Sequence, residues 1–86
     1  MYQIKIYKKA IKSLKKFPTE DQIRIEKVFN RLKENPFVLD IKKLNPPHNT
    51  SHRIRTGSYR IFSDIDTETK IIIIVEIERR TTQTYH

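Results

Sequence analysis

The sequence predicts an α+β domain read as β-α-α-β-β-β, with a helical hairpin packed on one face of a mainly antiparallel sheet. Three observations predict it. The chain opens on apolar residues at every second position, continues through two helical stripes separated by a proline, and ends in strand-like runs around its one glycine.

Tyr2, Ile4 and Ile6 alternate with Gln3, Lys5 and Tyr7, the period of a half-buried strand. From Lys8 the period becomes helical: Ala10, Ile11, Leu14 and Phe17 share a face and lysines fill the rest, until Pro18 stops the helix. Thr19 with Gln22 three residues on reads as a capping box for a second helix. Ile25, Val28, Phe29 and Leu32 form its apolar stripe, and Asn35-Pro36 closes it. Residues 36–50 read as irregular, with Phe37, Leu39, Ile41 and Leu44 available as anchors and Pro46-Pro47-His48-Asn49 extended. His52 and Ile54, then Tyr59 and Ile61, alternate about a turn at Thr56-Gly57-Ser58. One strand covers residues 59–64, residues 66–69 turn, and residues 71–78 make the last strand. Its unbroken aliphatic run, residues 71–75, reads as buried on both faces and central in the sheet.

Eighty-six residues, 36% of them apolar, suffice for one domain spanning residues 1–86 and one small core. Cysteine is absent, which removes disulfides, thiol catalysis and thiolate metal sites together. The opening residues hold no apolar run of signal-sequence length, and five consecutive aliphatic residues cannot span a bilayer. A soluble, cytoplasmic protein without a membrane role is the expectation. Eighteen Lys and Arg against ten Asp and Glu leave a net charge of +8, a field that concentrates polyanions. Nucleic acid, ribosome, acidic membrane and acidic protein all suit that balance.

The positive charge is divided by residue type. Residues 1–17 carry six lysines and no acid, whereas Arg53, Arg55, Arg60, Arg79 and Arg80 fall in the C-terminal half. Arginine's planar fork suits bidentate phosphate or carboxylate contacts, so the C-terminal half is the place to look for a site. Arg53 and Arg55 are two apart and share a strand face. With Arg60 on the next strand and Arg79 and Arg80 ending the last, hairpin pairing would gather guanidinium groups on the uncovered face as a phosphate cradle. Alternatively these arginines pair with Asp64, Asp66, Glu76 and Glu78, or solvate a free sheet face. His52 beside the arginines should lose basicity and accept a proton. Tyr85 can stack on a base, and His86 is a further titratable group at the end of the chain. His48 reads as a loop residue. Three scattered histidines make a poor metal site, and no pattern calls for a cofactor.

Residues 51–62, SHRIRTGSYRIF, resemble the Y-R-L-R-x-G-x-Y-R-I-x-Y core of the RelE/ParE toxin superfamily. Residues 8–18 (KKAIKSLKKFP) are similar to the family's first helix, and Lys42-Lys43-Leu44 to the segment before its arginine strands. Glu78-Arg79-Arg80 followed by Thr84-Tyr85 resembles its terminal signature. These segments cover nearly the whole chain in the expected order.

The resemblance implies a RelE-like microbial ribonuclease fold and a toxin of a type II toxin–antitoxin module. It implies a metal-independent endoribonuclease that cleaves mRNA in the ribosomal A site by attack of a 2′-OH on the adjacent phosphate. It assigns RNA binding to Arg53, Arg55 and Arg80, transition-state charge to Arg60, charge or proton donation to Arg79, and nucleotide orientation to Tyr85. Where RelE has lysines as base, this chain has His52, Arg53 and Arg55; arginine is a poor base, which leaves His52, or else His86, or catalysis that leans chiefly on positioning and charge. The implied partners are ribosome, mRNA and a small acidic antitoxin that folds on binding. The alternatives are a ParE-type toxin that inhibits DNA gyrase without nuclease activity, and an inactive basic RNA- or peptide-binding module.

Overall fold

The computed structural model describes residues 1–80. Its elements run β1 (Gln3–Ile6), α1 (Lys8–Lys16), α2 (Thr19–Glu34), a 3₁₀ turn at Pro36–Val38, β2 (Ile41–Lys43), β3 (His52–Thr56), β4 (Tyr59–Asp66) and β5 (Ile71–Arg79). The five strands lie in the order β1-β5-β4-β3-β2, with β1 parallel to β5 and every other pair antiparallel. The α+β class and the helical hairpin therefore stand as the sequence predicts. One strand is additional: Ile41–Lys43, read as irregular, pairs along the edge of β3. Three residues carry too little periodicity to mark a strand; its neighbour defines it.

The core lies between the sheet and the helices. Ala10 from α1 and Ile25, Val28, Phe29 and Leu32 from α2 meet Ile54, Tyr59, Ile61, Ile72, Ile74 and Ile77 from the strands. Gly57 makes the β3–β4 turn at φ 56, a left-handed conformation that favours glycine. The capping box does not form: Pro18 is the N-cap of α2, and Thr19 already lies inside the helix. Gln22 instead donates through Nε2 to the Phe17 carbonyl at 2.9 Å, so it fastens the helix pair.

β5 is interior to the sheet, but helices cover one face alone. Ile72 and Ile74 are buried, whereas Ile71, Ile73 and Val75 on the other side are half-buried. The expectation of burial on both faces fails because no layer packs over the second face among the described residues. β5 also contains a bulge. Phe62 pairs with Glu76 and Ser63 with Ile74, so Val75 is left over. The extra residue shifts the alternation, returning Ile77 to the core and sending Glu76 and Glu78 to the uncovered face.

Candidate functional site

Each arginine's face follows from strand register. Residues opposite one another in an antiparallel pair share a face. Arg55 opposes Arg60, and Arg60 opposes Glu78; Arg53 opposes Phe62, and Phe62 opposes Glu76. Ile54 and Ile61 point into the core, so Arg53, Arg55 and Arg60 point to the uncovered face. Lys42, opposite Arg53, joins them from the edge strand.

These three guanidinium groups differ in their partners. Arg55 is tied to Asp40, with Nε and Nη2 each 3.1 Å from Oδ2. Both side chains are about half exposed, and such a pair adds little stability. Arg53 and Arg60 make no ion pair among the described residues, and the Nε of each is buried without a hydrogen-bond partner. Arginine nitrogens placed out of water and left unbonded are poised to accept an anionic ligand.

Arg79 departs from the expected cluster. It opposes Tyr59, whose buried side chain faces the helices, and its guanidinium carbon lies 5.9 Å from the Tyr59 ring centroid. Arg79 thus sits on the helix side of the sheet end, away from Arg53 and Arg60. The bulge at Val75 decides this position, and strand parity read from sequence does not reveal it. Arg80 follows the end of β5, where its backbone N–H bonds to the Ser58 carbonyl.

His52 is also on the other face. It shares parity with Ile54 and opposes Lys43 and Ser63. Its Nδ1 lies 2.7 Å from Ser51 Oγ, and its ring meets Phe37 edge-on at 6.1 Å. The expected loss of basicity occurs, but the arginines do not cause it. Burial lowers the pKa first and the Lys43 charge adds to it, while Asp64 works in the opposite direction. Arg53 and Arg60 therefore have no imidazole from His52 beside them. Tyr85 and His86, assigned by resemblance to nucleotide orientation and proton transfer, lie outside the described residues.

Two features were not read from sequence as part of a site. His48, in the loop between β2 and β3, lines an open cleft on the uncovered face with Asn49, Thr50, Phe62, Glu76 and Glu78. Lys9 closes the rim, its Nζ 3.8 Å from Glu76 Oε1. Loop and strands are joined through Ser51, whose N–H donates to Asp64 Oδ1 at 2.9 Å and whose Oγ accepts from the Ile65 N–H at 3.0 Å. No group of three or more His, Asp or Glu able to hold a metal occurs among the described residues. No helix among them is long and apolar enough to cross a membrane.

Known proteins share this architecture and sequence. The family described as ParE toxin of type II toxin-antitoxin system, parDE, matches residues 4–84. A Methanocaldococcus jannaschii protein that carries the name toxin RelE1 is 30% identical over 82 residues, which cover 92% of this chain and 90% of that protein. In the crystal structure of an archaeal RelE–RelB complex from Pyrococcus horikoshii, the matched chain is 25% identical with a TM-score of 0.80; the match covers 95% of this chain and 98% of that one. A chain of the RelB–RelE antitoxin–toxin complex from Methanococcus jannaschii is 31% identical with a TM-score of 0.70, covering 88% of this chain and 90% of that one. Sequence and fold agree over nearly the full length, and the chain belongs to the RelE/ParE superfamily of toxins from type II toxin–antitoxin systems.

Proposed function

We propose that this toxin is an endoribonuclease that cuts mRNA in the ribosomal A site, through attack of a ribose 2′-OH on the adjacent phosphate. One observation carries the reading. Arg53 and Arg60, on neighbouring strands of the uncovered face, present guanidinium groups whose Nε atoms have no partner among the described residues. A phosphorane gathers negative charge on its equatorial oxygens, and fixed guanidinium donors stabilise it more than the ground state. Arg60 takes that role, with Arg53 holding the neighbouring backbone; by resemblance, Tyr85 orients the nucleotide. A cognate acidic antitoxin is the proposed partner, because the relatives of known structure include RelE–RelB complexes and this chain carries +8.

The test is cleavage of a defined message on purified ribosomes, read by primer extension. Arg60→Ala should lower the rate by about 10²–10³-fold. Arg55→Ala, which removes a group already engaged by Asp40, should cost far less. An unaltered rate in Arg60→Ala would overturn the reading.

A gyrase-directed, ParE-type activity is the second reading. It is favoured by the ParE family match and by the turning of Arg79 away from Arg53 and Arg60. A supercoiling defect with intact ribosome-bound message would establish it in place of the nuclease.

A further inference from the structure

Arginines supply charge to a phosphoryl transfer but not proton movement, because they stay protonated. His52 faces the helix layer and His86 lies outside the described residues, so among the described residues a base and an acid are to be sought on the uncovered face. Four carboxylates face that side from β4 and β5, of which Asp66 accepts the Glu68 and Thr69 N–H groups of its own turn. Asp64 accepts the Ser51 N–H, and Glu76 lies beside Lys9. Glu78 makes no ion pair among the described residues, and in register it stands directly opposite Arg60. Across the same cleft, the 44–51 loop places His48. That loop is held to β4 by Ser51, and a hydrogen bond from the His48 N–H to the Asn45 carbonyl at 3.2 Å closes a turn within it.

We propose that Glu78 and His48 are the general base and general acid of the RNA cleavage inferred above, on which this proposal rests. The Glu78 carboxylate takes the proton of the 2′-OH as the 2′-oxygen–phosphorus bond forms. Arg60, its cross-strand neighbour, holds the charge on the phosphorane. The bond from phosphorus to the 5′-oxygen then breaks, and the His48 imidazolium gives its proton to that oxygen. The products are a 2′,3′-cyclic phosphate and a 5′-hydroxyl. One proton is taken up by Glu78 and one released by His48; solvent exchange restores both, and neither water nor an oxidant enters the balance. Lys42 flanks His48 on its other side, and Lys9 closes the rim of the cleft.

The experiment is single-turnover cleavage on ribosomes of two messages, one normal and one with sulfur in place of the bridging 5′-oxygen at the mapped scissile phosphate. A thiolate leaves without a proton, so the sulfur message needs no acid. His48→Ala should lower the rate on the oxygen message by about 10²-fold and cut the sulfur message at close to the wild-type rate. Glu78→Gln should be slow on both. Ribosome binding, measured separately, should not change in either variant. Wild-type cleavage with an unaltered rate in His48→Ala or in Glu78→Gln would sink the acid–base assignment and leave the nuclease reading standing. Equal loss on both messages in His48→Ala would likewise overturn its role as acid. Failure of the wild-type protein to cut any ribosome-bound message would remove both proposals together.

Discussion

The Tyr59 hydroxyl donates a 2.6 Å hydrogen bond to Asp21 Oδ2, joining the first residue of β4 to the first turn of α2. The ring is packed as firmly as the hydroxyl. Phe17 lies against it with centroids 4.5 Å apart, and Tyr59 is 1% exposed. Burial, and next the bond to Asp21, raise the phenol's pKa above its ordinary value, so it remains a donor. Tyr59→Phe keeps the packing and removes the bond to a charged acceptor. It should cost about 1.5–3 kcal/mol in denaturant unfolding, with an unchanged denaturant slope. A loss below about 0.5 kcal/mol would mean that water satisfies Asp21 equally well.

Gly57 should resist replacement chiefly through its backbone. Its φ of 56 disfavours side chains, at a cost of about 1–2 kcal/mol. A Cβ there would lie 2.5 Å from Arg24 Nη1, but that atom ends a flexible side chain and can swing aside cheaply. Gly57→Ala should lose about the backbone cost, and adding Arg24→Ala should recover little of it. Thermal unfolding of the two single variants and the double variant checks this, and a large recovery would show a steric clash instead.

Ser63 is 0% exposed, and its Oγ has no hydrogen-bond partner among the described residues. Burying a hydroxyl without a partner is unfavourable, so Ser63→Ala should be neutral or stabilising by up to about 1 kcal/mol. A marked loss of stability would show that an ordered water holds the hydroxyl.

His52 makes stability depend on pH in one direction. Its folded pKa is below the ordinary 6.5, so the folded state binds its proton less readily than the unfolded chain does. The contribution is complete above 6.5 and is lost as pH falls through the lower folded value. Lys43 opposes protonation, Asp64 favours it, and Ser51 and Phe37 are the neutral neighbours. Melting temperature should therefore fall more steeply on acidification below 6.5 in the wild type than in His52→Gln. Parallel curves would show that His52 makes no net contribution.

Much of the fold was legible because its signals are local. The alternation through Ile54 and Ile61, the stripe from Ile25 to Leu32 and the glycine between two arginine strands each follow from a short stretch of chain. The site was legible only where one strand decides a face. Arg53 and Arg55 share a side by parity, and Arg60 joins them through a two-residue turn. Parity does not place Arg79, because its face depends on an unpaired residue several positions earlier, which no periodicity marks. Nor does it set His52 beside Arg53, because neighbours along a strand point to opposite sides of the sheet. A proline-rich loop carries no pattern that tells where His48 folds back.

The leftover Val75 makes β5 tolerant of losing a residue in a way that its composition hides. Exchanging one of its aliphatic residues for another of similar size keeps the inside–outside assignment of the whole strand. Deleting one residue between Ile72 and Glu76 would close the bulge: the strand would alternate without interruption, with Glu76 and Glu78 still outside and Ile77 still inside. Homologous toxins that keep this surface should therefore vary freely in which aliphatic residues they use here, and carry either this residue count between the Ile72 and Glu78 positions or one fewer.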